Sequence, residues 1–342
     1  MWLADNWTEY EVLDTSSGEK SERWGDVVLV RPDPQVIWKT KRTHPSWKHW
    51  DGLYHRSAKG GGSWESHGMP DEWSIRYKLP LEVDTPGESR WESADTDRPS
   101  PRGEGGCDSS RMRCPTLTFN LKPFSFKHTG LFPEQAANWD WFTPLIKEKR
   151  KVLNLFAYTG GATLAAAAAG AQVTHVDASK GMVGWAKENA AASGLSDAPI
   201  RWLVDDCVKF VEREIRRGNK YDAIIMDPPS YGRGPKGETW KIEDNVFELI
   251  RRTSLLLSDT PLFFLISSYT TGLQPGVLRQ MLQLVFDGDN GDGSVCHLEE
   301  QVTRQNRPQL SPANPRIEAD ELGLPVTTGG ILPCGASGRV TF

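Results

Sequence analysis

An apolar run that ends in two glycines most constrains the fold of this chain of 342 residues. Residues 151–161 read KVLNLFAYTGG, a buried-strand pattern that leads into small residues. The alanine-rich run Ala162–Ala169 follows and is typical of a tightly packed helix. The order of strand, glycine turn and helix predicts an open α/β sheet that binds its ligand at the carboxyl end of the strand.

Two further strands are predicted to end in acidic residues at the same edge of that sheet. The run Gln172–Asp177 reads QVTHVD, and Asp177 comes 17 positions after Gly160, a spacing that suits hydrogen bonding to ribose hydroxyls. The run Ile200–Val204 is followed at once by Asp205 and Asp206. Successive strands therefore bring glycines and carboxylates to one edge of one sheet.

A fourth apolar run, Tyr221–Met226, is followed by Asp227-Pro228-Pro229-Ser230-Tyr231. Each proline fixes its own φ and restricts the residue before it, so the Asp227 carboxylate and nearby carbonyls are expected to be preset hydrogen-bond acceptors. The Tyr231 ring offers a surface for an unstacked base, and such stacking contributes about 1–3 kcal/mol per base in nucleic-acid systems. Taken alone, an acid before prolines is equally consistent with an ordinary turn.

Several motifs together resemble one enzyme family. They are KHTGLFPEQAANWDW (Lys127–Trp141), LNLFAYTGG, VDASKGMVGWAKENAAASGL (Val176–Leu195), DDCVKF (Asp205–Phe210) and MDPPSYGRG (Met226–Gly234). With them, residues 122–268 resemble the class I S-adenosylmethionine-dependent methyltransferases. More narrowly, they are similar to the large-subunit ribosomal RNA cytosine methyltransferases and their less characterised relatives. The resemblance implies a Rossmann-like α/β fold with a mostly parallel, seven-stranded sheet, and S-adenosyl-L-methionine as cofactor.

The resemblance also implies roles for individual residues. It places the methionine part of the methyl donor near Ala157, Tyr158, Thr159 and Gly160, its ribose hydroxyls at Asp177, its adenine amine at Asp206 and its carboxylate end at Gln135 or Thr129. Ala178 and Asp205 are further expected cofactor-binding residues. Asp227 and Tyr231 are expected to face the target, with Pro228 and Pro229 in the same catalytic set. The structural alternatives are a plain loop at Gly160-Gly161 and a helix N-cap role for Asp177.

One departure from the family pattern bears on the mechanism. Methylation at carbon 5 of cytosine requires a thiolate that adds to the ring, and the related enzymes carry a cysteine just after the fifth strand. Here residues 261–269 read PLFFLISSY, without a cysteine. Cys334 is a remote candidate, and the alternative is that it is a small buried apolar residue. The sequence therefore predicts direct transfer to a nitrogen or oxygen, with Asp227 orienting the acceptor.

Three other functions share parts of this pattern. A nicotinamide-dependent oxidoreductase has the same strand and glycine turn, but its G-x-G-x-x-G spacing is absent because only Gly160 and Gly161 occur together. A methyltransferase that acts on a protein or a small molecule remains open. So does a non-catalytic, S-adenosylmethionine-binding, RNA-associated factor, although the intact Asp227-Pro228-Pro229 motif argues against it.

The N-terminal part differs in character from the rest. Residues 1–82 are predicted to form a small β-rich domain, 83–114 a disordered insertion or linker rich in Pro, Gly, Ser and charge, and 115–342 the methyltransferase domain. The segment Trp38–Trp50 reads WKTKRTHPSWKHW and interleaves cations with aromatic rings, as in surfaces that contact RNA. A solvated basic face is the alternative, and the net charge of −5 gives no general attraction to nucleic acid.

Composition bounds the remaining possibilities. The chain is 38% hydrophobic and has no apolar run long enough to span a membrane. Residues 1–14, MWLADNWTEYEVLD, show no secretory signal or transit peptide, and the five scattered cysteines include no C-x-x-C pair. We therefore expect a cytoplasmic protein without a metal, whose substrate is ribosomal or other RNA. The sequence does not indicate the modified base or the oligomeric state.

Overall fold

A computed structural model of the protein describes residues 1–57, 61–81, 83–84, 112–113, 115–124, 127–147, 149–233, 239–270, 272–287 and 315–342. The linker predicted at 83–114 lies almost wholly outside the described residues. The strands are β1 (Trp2–Leu3), β2 (Tyr10–Ser16), β3 (Glu19–Trp24), β4 (Val27–Pro32), β5 (Gly52–Arg56), β6 (Gly62–Ser66), β7 (Trp73–Lys78), β8 (Val83–Asp84), β9 (Met112–Arg113), β10 (Thr116–Leu121), β11 (Lys151–Leu155), β12 (Gln172–Asp177), β13 (Ile200–Val204), β14 (Ala223–Met226), β15 (Tyr231–Arg233), β16 (Thr239–Lys241), β17 (Phe263–Ser268), β18 (Arg316–Pro325) and β19 (Ile331–Thr341).

The helices lie mainly between the strands of the second half of the chain. They are α1 (Ala136–Phe142), α2 (Gly161–Ala168), α3 (Lys180–Ala192), α4 (Cys207–Arg217), α5 (Ile242–Ser254) and α6 (Pro275–Phe286), and 3₁₀ turns occur at Pro45–Trp47, Pro133–Gln135 and Thr143–Leu145. Across the described residues, no helix is both long enough and apolar enough to cross a bilayer. The strands and helix predicted between residues 151 and 226 are confirmed, with α2 beginning at Gly161 directly after the glycine turn.

The largest sheet has eight strands in the order β1-β18-β19-β17-β14-β11-β12-β13. Strands β17, β14, β11, β12 and β13 are parallel to one another, and β19 is antiparallel to both of its neighbours. The Rossmann-like, mostly parallel α/β fold is therefore confirmed, but the expected count of seven strands is one too low. The extra strand is the two-residue β1, which is parallel to β18 and is too short to leave a periodic pattern in the sequence.

Both faces of the central sheet are covered, which explains its continuous apolar runs. Val152, Ile225 and Leu265 belong to one core cluster, whereas Leu153 and Ile224 belong to a second. Because successive side chains of a strand point to opposite faces, these alternating memberships show a separate core on each side of the sheet. The small side chains of α2 allow that helix to pack closely, and its residues 163–167 are buried.

The N-terminal region forms a second sheet in the order β2-β3-β4-β5-β6 and confirms the expected β-rich segment. It is joined to the α/β part by backbone contacts: the amide of Thr327 donates to the carbonyl of Val12 at 2.9 Å. Aromatic packing continues across the boundary, since the rings of Trp7 and Trp139 lie 6.2 Å apart. Strand β7, before the predicted linker, pairs with β10 after it. Residues 31–35, at the end of β4 and just after it, reach the carboxyl edge of the large sheet and line the cavity there.

Candidate active site

A cavity of about 700 Å³ opens where the carboxyl ends of β11, β12, β14 and β17 meet. Asp177, Asp227 and Tyr269 line it, each placed at or just beyond the end of its strand. A recess of about 60 Å³ adjoins it and shares Phe132, Tyr158 and Asp227 as lining residues. The predicted convergence of strand ends therefore produces one connected site.

The turn after β11 brings backbone close to the recess. Gly160 has a φ of +90°, and a Cβ there would lie 3.0 Å from the Cβ of Ala186. A Cβ on Gly161 would lie 2.7 Å from Cζ2 of Trp139. Phe156 and Tyr158 also have positive φ values, of 55° and 49°, which are uncommon for residues with side chains. The turn is thus a compact, strained loop, a feature that clusters at ligand sites.

Asp177 holds that loop against the end of β12. Its Oδ2 accepts a hydrogen bond from the backbone nitrogen of Tyr158 at 2.9 Å, and its Oδ1 accepts one from the backbone nitrogen of Ser179 at 2.8 Å. Partial burial raises the pKa of the Asp177 carboxyl. The N-cap of α3 is Ser179, not Asp177. Asp177 and Ala178 line the cavity, so the carboxyl keeps acceptor capacity toward a ligand.

The other residues predicted for the donor are divided between the recess and positions outside it. Gln135, Ala157, Tyr158 and Thr159 line the recess, and Nε2 of Gln135 donates to the Tyr269 hydroxyl at 2.8 Å. Gly160 lines neither the cavity nor the recess, and it packs against Ala186 of α3. Thr129 lines neither the cavity nor the recess, and its buried hydroxyl has no hydrogen-bond partner among the described residues.

Asp205 and Asp206 lie beyond the cavity, at the start of α4. Asp205 is ion-paired with Arg213, and Asp206 caps the helix by accepting from the backbone nitrogen of Lys209 at 2.9 Å. Asp206 lines a neighbouring depression of about 350 Å³ together with Trp240. The contact of Asp206 with adenine and the cofactor-binding role of Asp205 stay predictions. Both carboxyls already have structural partners.

Asp227 is the central group of the acceptor side of the cavity. It follows β14 directly, lines the cavity with Pro228 and Pro229, and is partly buried. Burial, with the neighbouring Glu134 carboxyl, raises the pKa of Asp227 to about 7. Tyr231 takes a different position: it begins the hairpin of β15 and β16, is 53% exposed and does not line the cavity.

The structure adds cavity residues that the sequence reasoning did not select. Glu134 lies inside the motif 127–141, one position before Gln135, so that motif was a usable signal. Tyr269 follows β17 and its ring centroid lies 5.4 Å from that of Phe132. Lys20 and Arg31 reach the cavity from the N-terminal sheet, and no local pattern marks them as site residues.

The cations from the N-terminal sheet are balanced by buried acids. Nζ of Lys20 lies 3.1 Å from Oε1 of Glu22 and 3.3 Å from Oδ2 of Asp33, and the Arg31 guanidinium lies 2.7 Å from Oε2 of Glu22. These two cations hold the pKa of Glu22 near 2, against the effect of burial. Lys127 lines the cavity beside them, and burial lowers its pKa to about 8. The part of the cavity wall that comes from the N-terminal sheet is therefore a network of ion pairs.

Cys334 also lines the cavity, but its environment does not activate it. Burial, followed by the charge of Glu134, raises the pKa of the Cys334 thiol well above its usual value. The thiol donates weakly to the carbonyl of Leu332 at 3.4 Å. A nucleophilic cysteine requires the opposite, a lowered pKa beside a cation or a base. Across the described residues, no group of three or more His, Cys, Asp or Glu side chains is arranged to hold a metal ion.

In the predicted RNA-contacting segment Trp38–Trp50, some cationic side chains are exposed, and another contacts neighbouring side chains of the protein. Lys39, Lys41 and Lys48 are exposed. The Arg42 guanidinium lies 4.0 Å from the Trp47 ring and is paired with Glu19. The segment follows Gln35, which lines the cavity, at an interval of three residues along the chain.

The known proteins that this chain resembles are described as methyltransferases. Residues 112–274 match the family described as S-adenosylmethionine-dependent methyltransferase. The ribosomal RNA large subunit methyltransferase K/L of Shewanella frigidimarina is 35% identical over 145 residues, which are 41% of this chain and 20% of that protein. The match thus spans about a fifth of the length of that relative.

Two solved structures share the fold over nearly the whole chain. A crystal structure of a SAM-dependent methyltransferase from Agrobacterium tumefaciens aligns with a TM-score of 0.75 at 29% identity, covering 98% of this chain and 91% of that one. A SAM-dependent methyltransferase from Streptococcus mutans aligns with a TM-score of 0.64 at 17% identity, covering 98% and 76%. The second likeness shows the fold alone.

Proposed function

We propose that the protein, whose residues 112–274 match the S-adenosylmethionine-dependent methyltransferase family, methylates a base of ribosomal or other RNA by direct transfer at Asp227. The single observation that carries this proposal is the placement of Asp227 in one cavity with the Asp177 loop. In the proposed arrangement, the methyl donor and the acceptor base therefore share this cavity. Such a meeting supplies proximity, which accounts for much of the rate in transfer reactions.

The residues present fit S-adenosylmethionine. The strained turn 156–160 presents backbone to the recess, and side chains at Gly160 and Gly161 would collide with Ala186 and Trp139. In the proposed arrangement, Asp177 accepts hydrogen bonds from the ribose hydroxyls, and Gln135 binds near the methionine end. The cofactor supplies a methyl group on a positively charged sulfur, which is a reactive electrophile at neutral pH.

On the acceptor side, Asp227 orients the group that receives the methyl. Its carboxylate accepts an N–H hydrogen bond and directs the nitrogen lone pair toward the donor side. The cofactor would supply the methyl group to that nitrogen, and the Asp227 carboxylate would accept the proton that the nitrogen gives up. A pKa near 7 suits a group that must accept a proton near neutral pH.

The two described cysteines, Cys207 and Cys334, lack the features of a nucleophile, and this favours direct transfer over a covalent intermediate. The Cys207 thiol is buried, accepts a hydrogen bond from the backbone nitrogen of Phe156 at 3.2 Å, and has a raised pKa. The Cys334 thiol also has a raised pKa. Neither has the features of an activated nucleophile.

RNA is proposed as the substrate on two grounds. The relative in Shewanella frigidimarina is named for ribosomal RNA large subunit methylation. In addition, the exposed lysines of segment Trp38–Trp50 follow the cavity-lining Gln35 and provide a path for a phosphate backbone. A flat base suits the cavity because Phe132, Tyr158 and Tyr269 contribute aromatic rings to it.

The test is transfer of a radiolabelled methyl group from S-adenosylmethionine to RNA, protein and metabolite fractions of cells that lack the gene. We expect label in one RNA species with the wild-type protein and none with Asp227→Ala. The matched control is Asp259→Asn, which alters an exposed aspartate in the loop before β17. Label confined to protein or metabolites would refute the RNA substrate, and no label in any fraction would indicate a non-catalytic binding protein.

A further inference from the structure

Glu134 is a buried carboxyl that the mechanism above leaves without a role. It is 5% exposed, lies in the 3₁₀ turn Pro133–Gln135 and lines the same cavity as Asp227. In the described part of the chain, no cation lies within ion-pair distance of its carboxylate. Burial raises the pKa of Glu134. A buried carboxyl without an ion pair is costly to stability, and such groups are concentrated at functional sites.

The Glu134 carboxyl acts electrostatically on the Asp227 carboxyl. The Glu134 charge is one of the two causes that raise the pKa of Asp227. Burial, followed by the charges of Glu134 and Asp227, raises the pKa of Tyr269, whose hydroxyl accepts a hydrogen bond from Nε2 of Gln135 at 2.8 Å. Both carboxyls line the same cavity, where repulsion between two negative charges opposes ionisation of both at once.

Titratable groups from other elements also face this pair. They are Lys20 on β3, Asp33 after β4, Tyr269 after β17 and Cys334 on β19. The Lys20 ammonium lowers the pKa of Glu134, but it is already held by Glu22 and Asp33 at 3.1 and 3.3 Å. The carboxyl pair therefore lacks a dedicated counter-ion and is available to a ligand.

The walls around the pair suit a flat ligand. The ring centroid of Phe132 lies 5.4 Å from that of Tyr269, 5.6 Å from that of Tyr158 and 5.3 Å from that of His128. Pro228 and Pro229 add rigid apolar surface. Aromatic walls with a few convergent polar groups are typical of sites that orient a planar ring.

We propose that Glu134 is a second recognition residue of the acceptor site, and that its carboxyl and the Asp227 carboxyl together bind the N–H edge of a planar heterocycle. With one proton shared, the pair offers one hydrogen-bond acceptor and one donor. It therefore selects a ring that carries an N–H or NH₂ donor next to a ring nitrogen or carbonyl acceptor. This inference rests on the proposed methyl-transfer function and specifies the acceptor of that same site.

The first test needs no substrate. Carboxyl carbons of Asp are labelled with ¹³C, and the Asp227 resonance, assigned with Asp227→Asn, is titrated by NMR in wild type, Glu134→Gln and Glu134→Asp. We expect the Asp227 midpoint to shift downward in Glu134→Gln and to stay raised in Glu134→Asp, which keeps a charge. Glu188→Gln, an exposed control on α3, leaves it unchanged. An unshifted midpoint in Glu134→Gln would overturn the coupling on which the inference depends.

The second test measures recognition, with unmodified ribosomal RNA transcribed in vitro and tritiated S-adenosylmethionine. We expect Glu134→Gln to lower kcat/KM for RNA by about tenfold or more, the range for loss of a hydrogen bond to a charged group. We also expect it to move the acid limb of the pH profile to lower pH, because the pKa of Asp227 falls. The affinity for S-adenosylhomocysteine, measured by calorimetry, stays within about twofold, and Glu134→Asp restores part of the activity.

The outcomes separate the inference from the function on which it rests. Unchanged kcat/KM in Glu134→Gln, or an equal loss of S-adenosylhomocysteine affinity, would overturn the role of Glu134 while leaving methyl transfer intact. A wild-type protein that binds S-adenosylhomocysteine but labels no RNA would instead refute the RNA substrate. In that case the Asp227 titration still decides whether the carboxyl pair exists.

Discussion

The backbone nitrogen of Tyr158 donates to Oδ2 of Asp177 at 2.9 Å, and this bond joins the turn after β11 to the end of β12. The same carboxyl also accepts from the backbone nitrogen of Ser179 at 2.8 Å. One side chain thus sets the shape of the proposed donor site and faces its cavity.

Asp177→Ala is expected to weaken binding of S-adenosylhomocysteine by at least about tenfold. Hydrogen bonds to charged groups contribute about 1.5–3 kcal/mol each, and the variant loses both the ribose contact and the loop anchor. Isothermal titration calorimetry measures the change, with the exposed Asp259→Asn as control. Unaltered affinity in Asp177→Ala would contradict the assignment of the ribose site.

Gly160→Ala is expected to destabilise the protein by about 1–2 kcal/mol and to reduce cofactor affinity, because its φ of +90° places an L-residue in a left-handed conformation. The added Cβ would also lie 3.0 Å from that of Ala186. The matched control is Gly184→Ala in α3, where a Cβ meets nothing within 4 Å and where alanine is expected to stabilise by up to about 1 kcal/mol. Urea denaturation measures both, and equal effects would argue against a special role of the turn.

Asn138→Ala is expected to cost about 1–3 kcal/mol of stability, because it removes the side-chain acceptor of a buried cation and leaves it only the carbonyl of Ala137. Oδ1 of Asn138 accepts from Nη2 of Arg339 at 2.8 Å and from Nε at 3.1 Å, and Arg339 is only 6% exposed. Asn245→Ala, which removes one exposed hydrogen bond, serves as control and is expected to change stability by less than about 0.5 kcal/mol. Chemical denaturation that finds the two variants alike would contradict this reading.

The pKa of Asp227 near 7 predicts a specific dependence of stability on pH. A folded-state pKa above the unfolded value means that the folded protein binds more protons between about pH 4 and 7. This contribution to stability is therefore fully present below the unfolded pKa and is lost as pH rises through 7. The stability of wild type relative to Asp227→Asn should fall from pH 5 to 7 and level off above. A difference that does not vary with pH would show that Asp227 is ionised in the folded protein throughout.

Cys334→Ser is expected to keep methyl-transfer turnover within about threefold of wild type, since loss of an activated nucleophile costs orders of magnitude. The raised pKa of the thiol argues against its use as a nucleophile. Turnover with the radiolabelled donor is measured alongside S-adenosylhomocysteine affinity. Loss of turnover with retained affinity would restore the covalent mechanism.

Some of the residues predicted from the sequence line the cavity or the recess, and others do not. Asp177, Asp227, Gln135 and the turn 157–160 were predicted and do surround one cavity region, because each comes at the end of a strand or in a motif beside it. Asp205, Thr129 and Tyr231 do not line that cavity. Asp205 faces Arg213 and Tyr231 lies on an exposed hairpin, and neither orientation follows from position along the chain. Their roles, like the domain boundaries at 82 and 114, stay predictions.

The sequence by itself determined the central sheet and the edge at which a ligand binds. Short apolar runs that end in glycine, acid or proline specify parallel strands, and the carboxyl ends of parallel strands necessarily meet. Only the tertiary structure decided which residues complete the cavity. Lys20, Glu134, Tyr269 and Cys334 are far apart in the chain and carry no common pattern. They come together because the N-terminal sheet supplies Lys20 and because β19, paired with β17, brings Cys334 to the end of the sheet where Tyr269 lies.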